Sequence, residues 1–329
     1  MRPTKMKKTK KSFRDRPERK ENIMAAVTAA MVKELRDLTG AGMMDCKKAL
    51  VETDGQMEKA IDYLRENGLA MTAKKAGRIA AEGLARFAIN PAGDEAVVVE
   101  VNSETDFVAK NEEFVNFVDK VAEIALAQGA DVNEEALKEV AYSDRESVAE
   151  KLTALIAKIG ENMNLRRVKK FATPGVKYVG YLHGGGRIAV LVGLKTEADA
   201  REVEECGKDV AMQVASMRPL YVDESSIDPE YLEHEKEILT AQTLNEGRPA
   251  NIVDKIVAGR LNKQLKEVCL VEQSFVKNGD ITVKQYVEEC AKSIGKSVQV
   301  VEMIRYEVGE GLEKHNEDFA AEVAKQMCK

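Results

Sequence analysis

The sequence predicts an α+β protein with a repeated core. Three observations carry that reading. An apolar hairpin, a helical stretch and a closing strand occur twice along the 329 residues. Between these strands, apolar residues recur at helical spacing. Charged residues reach 32% and aromatic residues 5%, with no Trp, which favours helices with long solvated faces over a β-sandwich. A chain of this length has room for a sizeable core and more than one domain.

Residues 1–23 hold ten Lys or Arg and three Asp or Glu, a net charge of +7, which leaves the rest of the chain at −13. This basic leader reads as disordered, with Met24 as the working start. The acidic body argues against a specific nucleic-acid binder, and only the leader suits RNA. Residues 24–76 read as three short helices. Thr28 caps the first, which places Val32, Leu35 and Leu38 on one face and stops at Gly40. The second runs from Met43 to Glu52 and ends before Asp54-Gly55. The third groups Met57, Ile61 and Leu64 and stops at Asn67-Gly68.

Two core subdomains with antiparallel sheets follow, at 77–173 and at 174–222 joined with 269–307. In the first, strands at 84–90 and 95–102 flank the turn Pro91-Ala92-Gly93-Asp94. A helix carries Phe114, Phe117, Val118, Val121 and Ile124, and 163–171 returns as a third strand. In the second, strands at 176–182 and 187–194 flank Gly184-Gly185-Gly186, a helix carries Val203, Val210, Met212 and Val214, and 298–306 closes the copy. From hairpin end to closing strand the first copy uses 61 residues and the second 104. The excess of 43 matches a helical hairpin inserted at 223–268. Asp228-Pro229-Glu230 starts one helix and Asn245-Glu246-Gly247-Arg248-Pro249 turns the chain. Ile252, Ile256, Leu261 and Leu265 then face the first helix, as in an antiparallel coiled coil. Val257, Val268 and Leu270 are left as outward residues suited to meeting a second copy. Residues 308–329 form a C-terminal helical module, with Phe319, Val323 and Met327 four residues apart.

Several chemistries lack their residues. The five cysteines, at 46, 206, 269, 290 and 328, form no CxxC pair, so no disulfide framework or thiolate metal site is implied and a reducing cytoplasm fits. The three histidines lie far apart in sequence, at 183, 234 and 315. No apolar run has the length of a bilayer span, and the basic N-terminus lacks the apolar region of a secretory signal. Gly295-Lys296-Ser297 resembles the end of a phosphate-binding loop, but the Gly such a loop needs five residues earlier is Cys290, and a strand follows instead of a helix. His183-Gly184-Gly185-Gly186 resembles an esterase oxyanion segment, but no Gly-x-Ser-x-Gly elbow accompanies it. No acid–base pair stands out. The chain reads as no enzyme, with no cofactor of its own.

One loop stands apart. Glu100-Val101-Asn102-Ser103-Glu104-Thr105-Asp106-Phe107-Val108-Ala109-Lys110 follows the apolar strand Ala96-Val97-Val98-Val99 and precedes Asn111-Glu112-Glu113, a capped helix start. Asp106 and Phe107 therefore stand side by side on a rigid base, where function concentrates. Phe suits an apolar slot, and Asp competes for hydrogen bonds or a cation. The chemistry alone leaves a second reading open, in which Phe107 packs on its own helix and Asp106 or Thr105 caps it. Met43-Met44 poses a similar choice. Neighbours on a helix face different ways, so at most one is fully core, and an exposed Met suits an adaptable partner surface. His183, heading the second hairpin turn, reads alone as a satisfied polar turn residue.

The loop is similar, position by position, to a signature of the bacterial-type elongation factor Ts family, the guanine-nucleotide exchange factors for elongation factor Tu. Leu35-Arg36-Asp37-Leu38-Thr39-Gly40-Ala41-Gly42-Met43-Met44-Asp45-Cys46-Lys47-Lys48-Ala49-Leu50 resembles the family's N-terminal signature. The likeness continues through Ile159-Gly160-Glu161-Asn162, His183-Gly184 and Arg305-Tyr306-Glu307-Val308-Gly309-Glu310-Gly311, over residues 24–329. It implies a ubiquitin-associated-like domain at 24–76. It implies an exchange wedge of Thr105, Asp106, Phe107 and Val108 that enters near the partner's Mg²⁺ site. It implies grips on elongation factor Tu at Arg36, Met43, Met44, His183 and the final helix with Phe319. The family carries a helical projection at the insertion and sometimes forms a homodimer through it. The rival reading is a helical adaptor that binds partners through the ubiquitin-associated-like unit without exchange activity. Because the likeness starts at Met24, removing residues 1–23 is expected to leave GDP release from elongation factor Tu within about twofold of the full chain. A large, salt-sensitive loss in a nucleotide-release assay would instead make the leader a docking element.

Overall fold

The computed structural model describes residues 27–39 and 41–313. The leader, Gly40 and the segment expected to form a C-terminal helix with Phe319, Val323 and Met327 lie outside the described residues. The chain forms two compact units, one of residues 27–74 with 153–160, the other of residues 75–152 with 161–313.

In the first unit, α1 (Ala29–Thr39), α2 (Met43–Glu52) and α3 (Met57–Lys75) enclose Val32, Leu35, Cys46, Ala49, Leu50 and Ala60. Met57, Ile61 and Leu64 pack against that cluster as the spacing requires. Leu38 does not. It is exposed, because each three-residue step falls short of a full turn and carries the stripe away from the core. Nor does α3 stop at Asn67-Gly68. Gly68 is buried within it, and a Cβ there would lie 3.5 Å from Thr153 Cγ2 and 3.9 Å from Ala157 Cβ. A glycine costs a helix about 1 kcal/mol against alanine. Here it admits the neighbouring helical segment, and that packing overrides the local stop signal.

The second unit stacks helix, sheet, sheet and helix. Strands β1 (Glu82–Ile89), β2 (Ala96–Ser103) and β5 (Met163–Phe171) form one antiparallel sheet in the order β1-β2-β5. Strands β6 (Val176–His183), β7 (Ile188–Thr196) and β10 (Val298–Glu307) form the other, in the order β10-β7-β6. In both copies the closing strand pairs with the second strand of its hairpin. Every residue of β2 is buried, because this central strand is covered on both faces. Phe114, Phe117, Val118 and Val121 of α5 (Glu112–Leu126) are buried where that helix packs on β1 and β2. The opposite faces of the two sheets meet around Ala85, Ala96, Val98, Tyr178, Ala189 and Leu191. A bulge between Val300 and Glu302 changes the parity of β10, so Val298, Val300 and Met303 face the helical side while Ile304 and Tyr306 face the other sheet. The helical side is covered by α8 (Glu204–Met217) and α11 (Val283–Ile294).

Each hairpin turn docks on the other sheet. Tyr178 N–H donates to Gly93 O at 2.7 Å, and Ala85 N–H donates to Gly186 O at 2.8 Å. Gly186 has a φ of +102°, and any Cβ there would collide with the Arg86 guanidinium. The repeat also includes small two-stranded hairpins that the sequence did not reveal. In the first copy α6 (Glu134–Glu139), β3 (Ala141–Ser143) and β4 (Glu146–Ser147) precede α7 (Val148–Ile159). In the second, a short 3₁₀ turn at Leu270–Glu272, β8 (Ser274–Phe275) and β9 (Asn278–Thr282) precede α11. Strands of two to five residues are too short to display an alternating pattern. Gln213, fully buried in α8, holds the second small hairpin through Gln273 Oε1, Ser274 O and Val276 N.

The insertion interrupts this second copy between α8 and the 3₁₀ turn. Asp228 caps α9 (Pro229–Asn245) by accepting from Glu230 N at 2.9 Å, and α10 (Ala250–Val268) returns antiparallel to it. Gln264 bonds Glu235, and Arg260 binds Glu246 through two 2.8 Å contacts. Val253 and Val257 are buried, with Ile256, Leu261 and Leu265 half-buried. Val257 and Leu270 are therefore core residues and Val268 is half-buried, not the outward surface expected for a second copy. Ile252 is turned outward, as is Leu244.

A buried carboxylate ties the two copies together. Residues of β2 alternate between faces, so Glu100 continues the Ala96 and Val98 row toward the second sheet with none of its surface exposed. Arg166 Nη1 lies 3.1 Å from Glu100 Oε1, and Arg167 Nε donates to Oε2. Gly309 N donates to Oε1 at 2.9 Å, and Asn102 Nδ2 at 3.0 Å. The arginines reach onward to Glu310 O at 2.6 Å and Glu307 O at 2.9 Å. Gly309 has a φ of +73°, and a Cβ there would strike the Ala81 carbonyl oxygen. Replacing Glu100 by Ala leaves two arginines facing an empty site, and urea denaturation is expected to show a loss of about 3–5 kcal/mol. A loss below about 1 kcal/mol would mean that solvent already screens the cluster.

Candidate functional site

The loop after β2 has a fixed base and a free tip. At the base, Thr105 N–H donates to Glu161 Oε2 at 3.0 Å and its hydroxyl to Glu161 Oε1 at 2.7 Å. Its carbonyl accepts from Ser103 Oγ at 3.0 Å. Glu104 accepts from Asn162 N–H and lies 3.6 Å from Arg78 Nη1. Asp106–Ala109 then makes a single helical turn, α4. Val108 is buried beneath it, and Asn111 caps α5 by accepting from Glu113 N at 2.9 Å. Phe107 is 80% exposed, more than any other large hydrophobic residue described. The reading in which Phe107 packs on its own helix is therefore not the one adopted, and Thr105 makes no cap bond because its hydroxyl serves Glu161.

Asp106 is exposed beside Phe107. Lys110 Nζ binds its carboxylate at 2.7 Å and lies 6.0 Å from the Phe107 ring centroid. The hydrogen bond from Lys110 holds the Asp106 carboxyl below the usual carboxylate range, with a lesser attraction from Arg187. The tip thus presents an aromatic face, a carboxylate and an ammonium within one helical turn.

The second hairpin turn stands at the same end of this unit. His183 is exposed there, its Nδ1 3.1 Å from the Tyr181 hydroxyl. Gly186 docks on β1, and Arg187 lies 3.6 Å from Glu82, which pairs with Ser103 at the base of the Phe107 loop. The remaining candidates belong to the first unit. Arg36 is exposed on α1, and Met43 and Met44 open α2 at 56% and 73% exposure. Neither Met enters the core, which stays within the expectation that at most one of them is fully core. Cys46, Ala49 and Leu50, one to two turns on, fill that core instead. Phe319 lies outside the described residues.

Glu161 and Asn162 had no role in the sequence reading. They were visible only as part of Ile159-Gly160-Glu161-Asn162, whose partners lie 56 and 58 residues away. The phosphate-loop decoy is dismissed by geometry, since Gly295 ends α11 with a φ of +77° and β10 follows. Among the described residues no cluster of three His, Cys, Asp or Glu is placed to hold a metal ion, and no helix is long and apolar enough to cross a membrane.

A family model described as Elongation factor TS matches residues 104–310. Elongation factor Ts of Clostridioides difficile strain 630 is 57% identical over 304 residues, which cover 92% of this chain and 100% of the relative. The chain belongs to the elongation factor Ts family. Elongation factor Ts of Clostridium novyi strain NT is 53% identical over 302 residues, covering 92% of this chain and 99% of that protein. The relative from Clostridium perfringens strain SM101 is 51% identical over 299 residues, at 91% and 98% coverage. The family match begins at Glu104, in the base of the loop that carries Phe107, and ends at Glu310, in the clamp around Glu100. For a member of this translation elongation family, the exposed Phe107 ring contributes little to folding. Phe107→Ala is expected to change the unfolding free energy by less than about 0.5 kcal/mol in chemical denaturation. A larger loss would show that the ring packs within its own chain.

Proposed function

We propose that the chain binds elongation factor Tu in its GDP form and promotes GDP release, hydrolysing nothing itself and working in the cytoplasm where translation runs. The observation that carries this reading is the exposed Phe107 beside Asp106 on a clamped single turn. A ring held out in water has its apolar surface available for a partner's slot, and burying a Phe side chain contributes about 1.5–3 kcal/mol. Thr105 and Val108 are the base of the wedge, and Asp106 and Phe107 are its tip.

The exchange follows from linkage. If the chain binds nucleotide-free partner more tightly than the GDP form, GDP binds the complex more weakly by the same factor. Entry of the wedge near the partner's Mg²⁺ site would displace the elements that hold that ion and remove an electrostatic anchor of the diphosphate. The Mg²⁺ belongs to the partner. Arg36, Met43 and Met44 supply a grip on the nucleotide-binding domain of elongation factor Tu, through a first unit that we take to be ubiquitin-associated-like. His183 supplies a grip on a second domain, and the segment with Phe319 a further one. A plain adaptor would use the exposed methionines equally well, but it leaves Phe107 and its clamped base without work to do.

Release of labelled GDP from elongation factor Tu, with and without the chain, tests the reading. The chain is expected to accelerate release, and Phe107→Ala to slow exchange more than it weakens binding, since separate surfaces supply much of the affinity. No acceleration under excess chain with a folded partner would overturn the proposal, and equal proportional losses in rate and affinity would remove the wedge from it.

A further inference from the structure

We infer that Glu161 is a positioning residue for the Phe107 wedge. The inference rests on the exchange reading above, and it concerns a side chain that touches neither the partner nor the nucleotide in that reading. Thr105 has three polar groups, and all are engaged: N–H and hydroxyl by the two oxygens of Glu161, carbonyl by Ser103 Oγ. The bonding is reciprocal. Glu161 takes the backbone N–H of Thr105, and Glu104 takes the backbone N–H of Asn162. Asn162 Nδ2 closes the loop by donating to Arg78 O at 2.7 Å. Two chain segments, 103–105 and 161–162, are thus clasped by an exchange of carboxylates.

The clasp replaces an ordinary local arrangement. A Thr just before a helix usually turns its oxygen toward the N–H groups of the first turn, an interaction whose loss costs about 1 kcal/mol. Thr105 forgoes that bond and gives its hydroxyl to a residue 56 positions away. On the far side of the tip, buried Val108 and the Asn111 cap fix the chain as it leaves. The backbone entering and leaving α4 is therefore set while the Phe107 ring makes no packing of its own. A half-buried Glu161 is not needed for the hydrophobic core. What it determines is where the ring points, and a misplacement of about 1 Å at a working group can cost on the order of a hundredfold in rate.

The test compares wild-type chain, Phe107→Ala, Glu161→Ala and Glu161→Gln in GDP release from elongation factor Tu, each titrated to saturation. Glu161→Ala is expected to lower the saturating rate by at least about tenfold while the half-saturating concentration moves less than about threefold. Glu161→Gln keeps one acceptor oxygen for the two Thr105 donors and is expected to fall between wild type and Glu161→Ala. Amide hydrogen exchange at Thr105 should accelerate in the same order. Wild-type chain that fails to speed GDP release overturns the exchange reading. Acceleration by wild type and slowing by Phe107→Ala, with Glu161→Ala and Glu161→Gln at wild-type rates, overturns the positioning role alone. A Glu161→Gln variant with faster Thr105 amide exchange but an unchanged saturating rate does the same.

Discussion

Glu100 is a carboxylate with no exposed surface, and the arrangement of both repeats follows from satisfying it. Moving a carboxylate out of water costs several kcal/mol, so its partners have to be close and numerous. Arg166 and Arg167 of the first sheet provide charge, but two guanidinium groups against one carboxylate leave an excess of positive charge. The excess is met by the carbonyls of Glu307 and Glu310 and by the Glu310 carboxylate, 3.5 Å from Arg167 Nη1. Those groups sit at and just beyond the end of β10, the closing strand of the second repeat. The carboxylate can therefore be satisfied only when both closing strands are in register and the 307–310 turn is formed. The Gly186 and Gly93 contacts between the sheets act in the same sense, so the packed halves are coupled by polar bonds as well as by the apolar cluster between them.

The same strand leads into the tip proposed to be functional. Three residues after Glu100, β2 ends at Ser103, whose hydroxyl already holds Thr105. The proposed wedge is thus continuous with a strand whose every residue is buried. Next to a wholly buried β2, the 80% exposure of Phe107 is a choice of position, not the fraying of a loose loop. Met43 and Met44 show a related pattern in the first unit, where an apolar pair opens a helix whose following turns are core.

Much of this was legible in the sequence, and the limits have physical causes. The strands at 163–171, 176–182 and 298–306 were readable because a sheet residue's burial depends on its own alternation, and β5, β6 and β10 follow those positions closely. Helix ends set by local chemistry, such as Asp228 before Pro229, were readable for the same reason. The end of α3 was not, because Gly68 is kept helical by Thr153 and Ala157, distant in sequence. Glu100 hid within an apolar run, and Glu161 within a motif that had no assigned task, since the arginines on Glu100 and the Thr105 donors on Glu161 lie more than 50 residues away. The outward assignment of Val257 failed because two helices of ambiguous stripe pack in more than one register, and side-chain volume rather than periodicity decides which residue enters the seam.

Magnitudes explain why a wedge of this kind needs a rigid base. Burial of Phe107 in a partner offers about 1.5–3 kcal/mol. Fixing the backbone of one loose residue costs about 1–2 kcal/mol. If residues 105–108 had to be ordered on binding, the cost of four residues would exceed what the ring supplies, and the segment could not perturb anything. With Thr105 held by Glu161 and Ser103, and Val108 already buried, that cost is met when the chain folds. The ring's contribution then remains available at the moment of contact. Even so, it falls short of the roughly 4 kcal/mol that a thousandfold loosening of GDP requires. The proposed exchange therefore depends on further grips. In that proposal, the exposed Met43 and Met44 and the His183 turn would hold the partner, while Phe107 would determine which of the partner's states is held best.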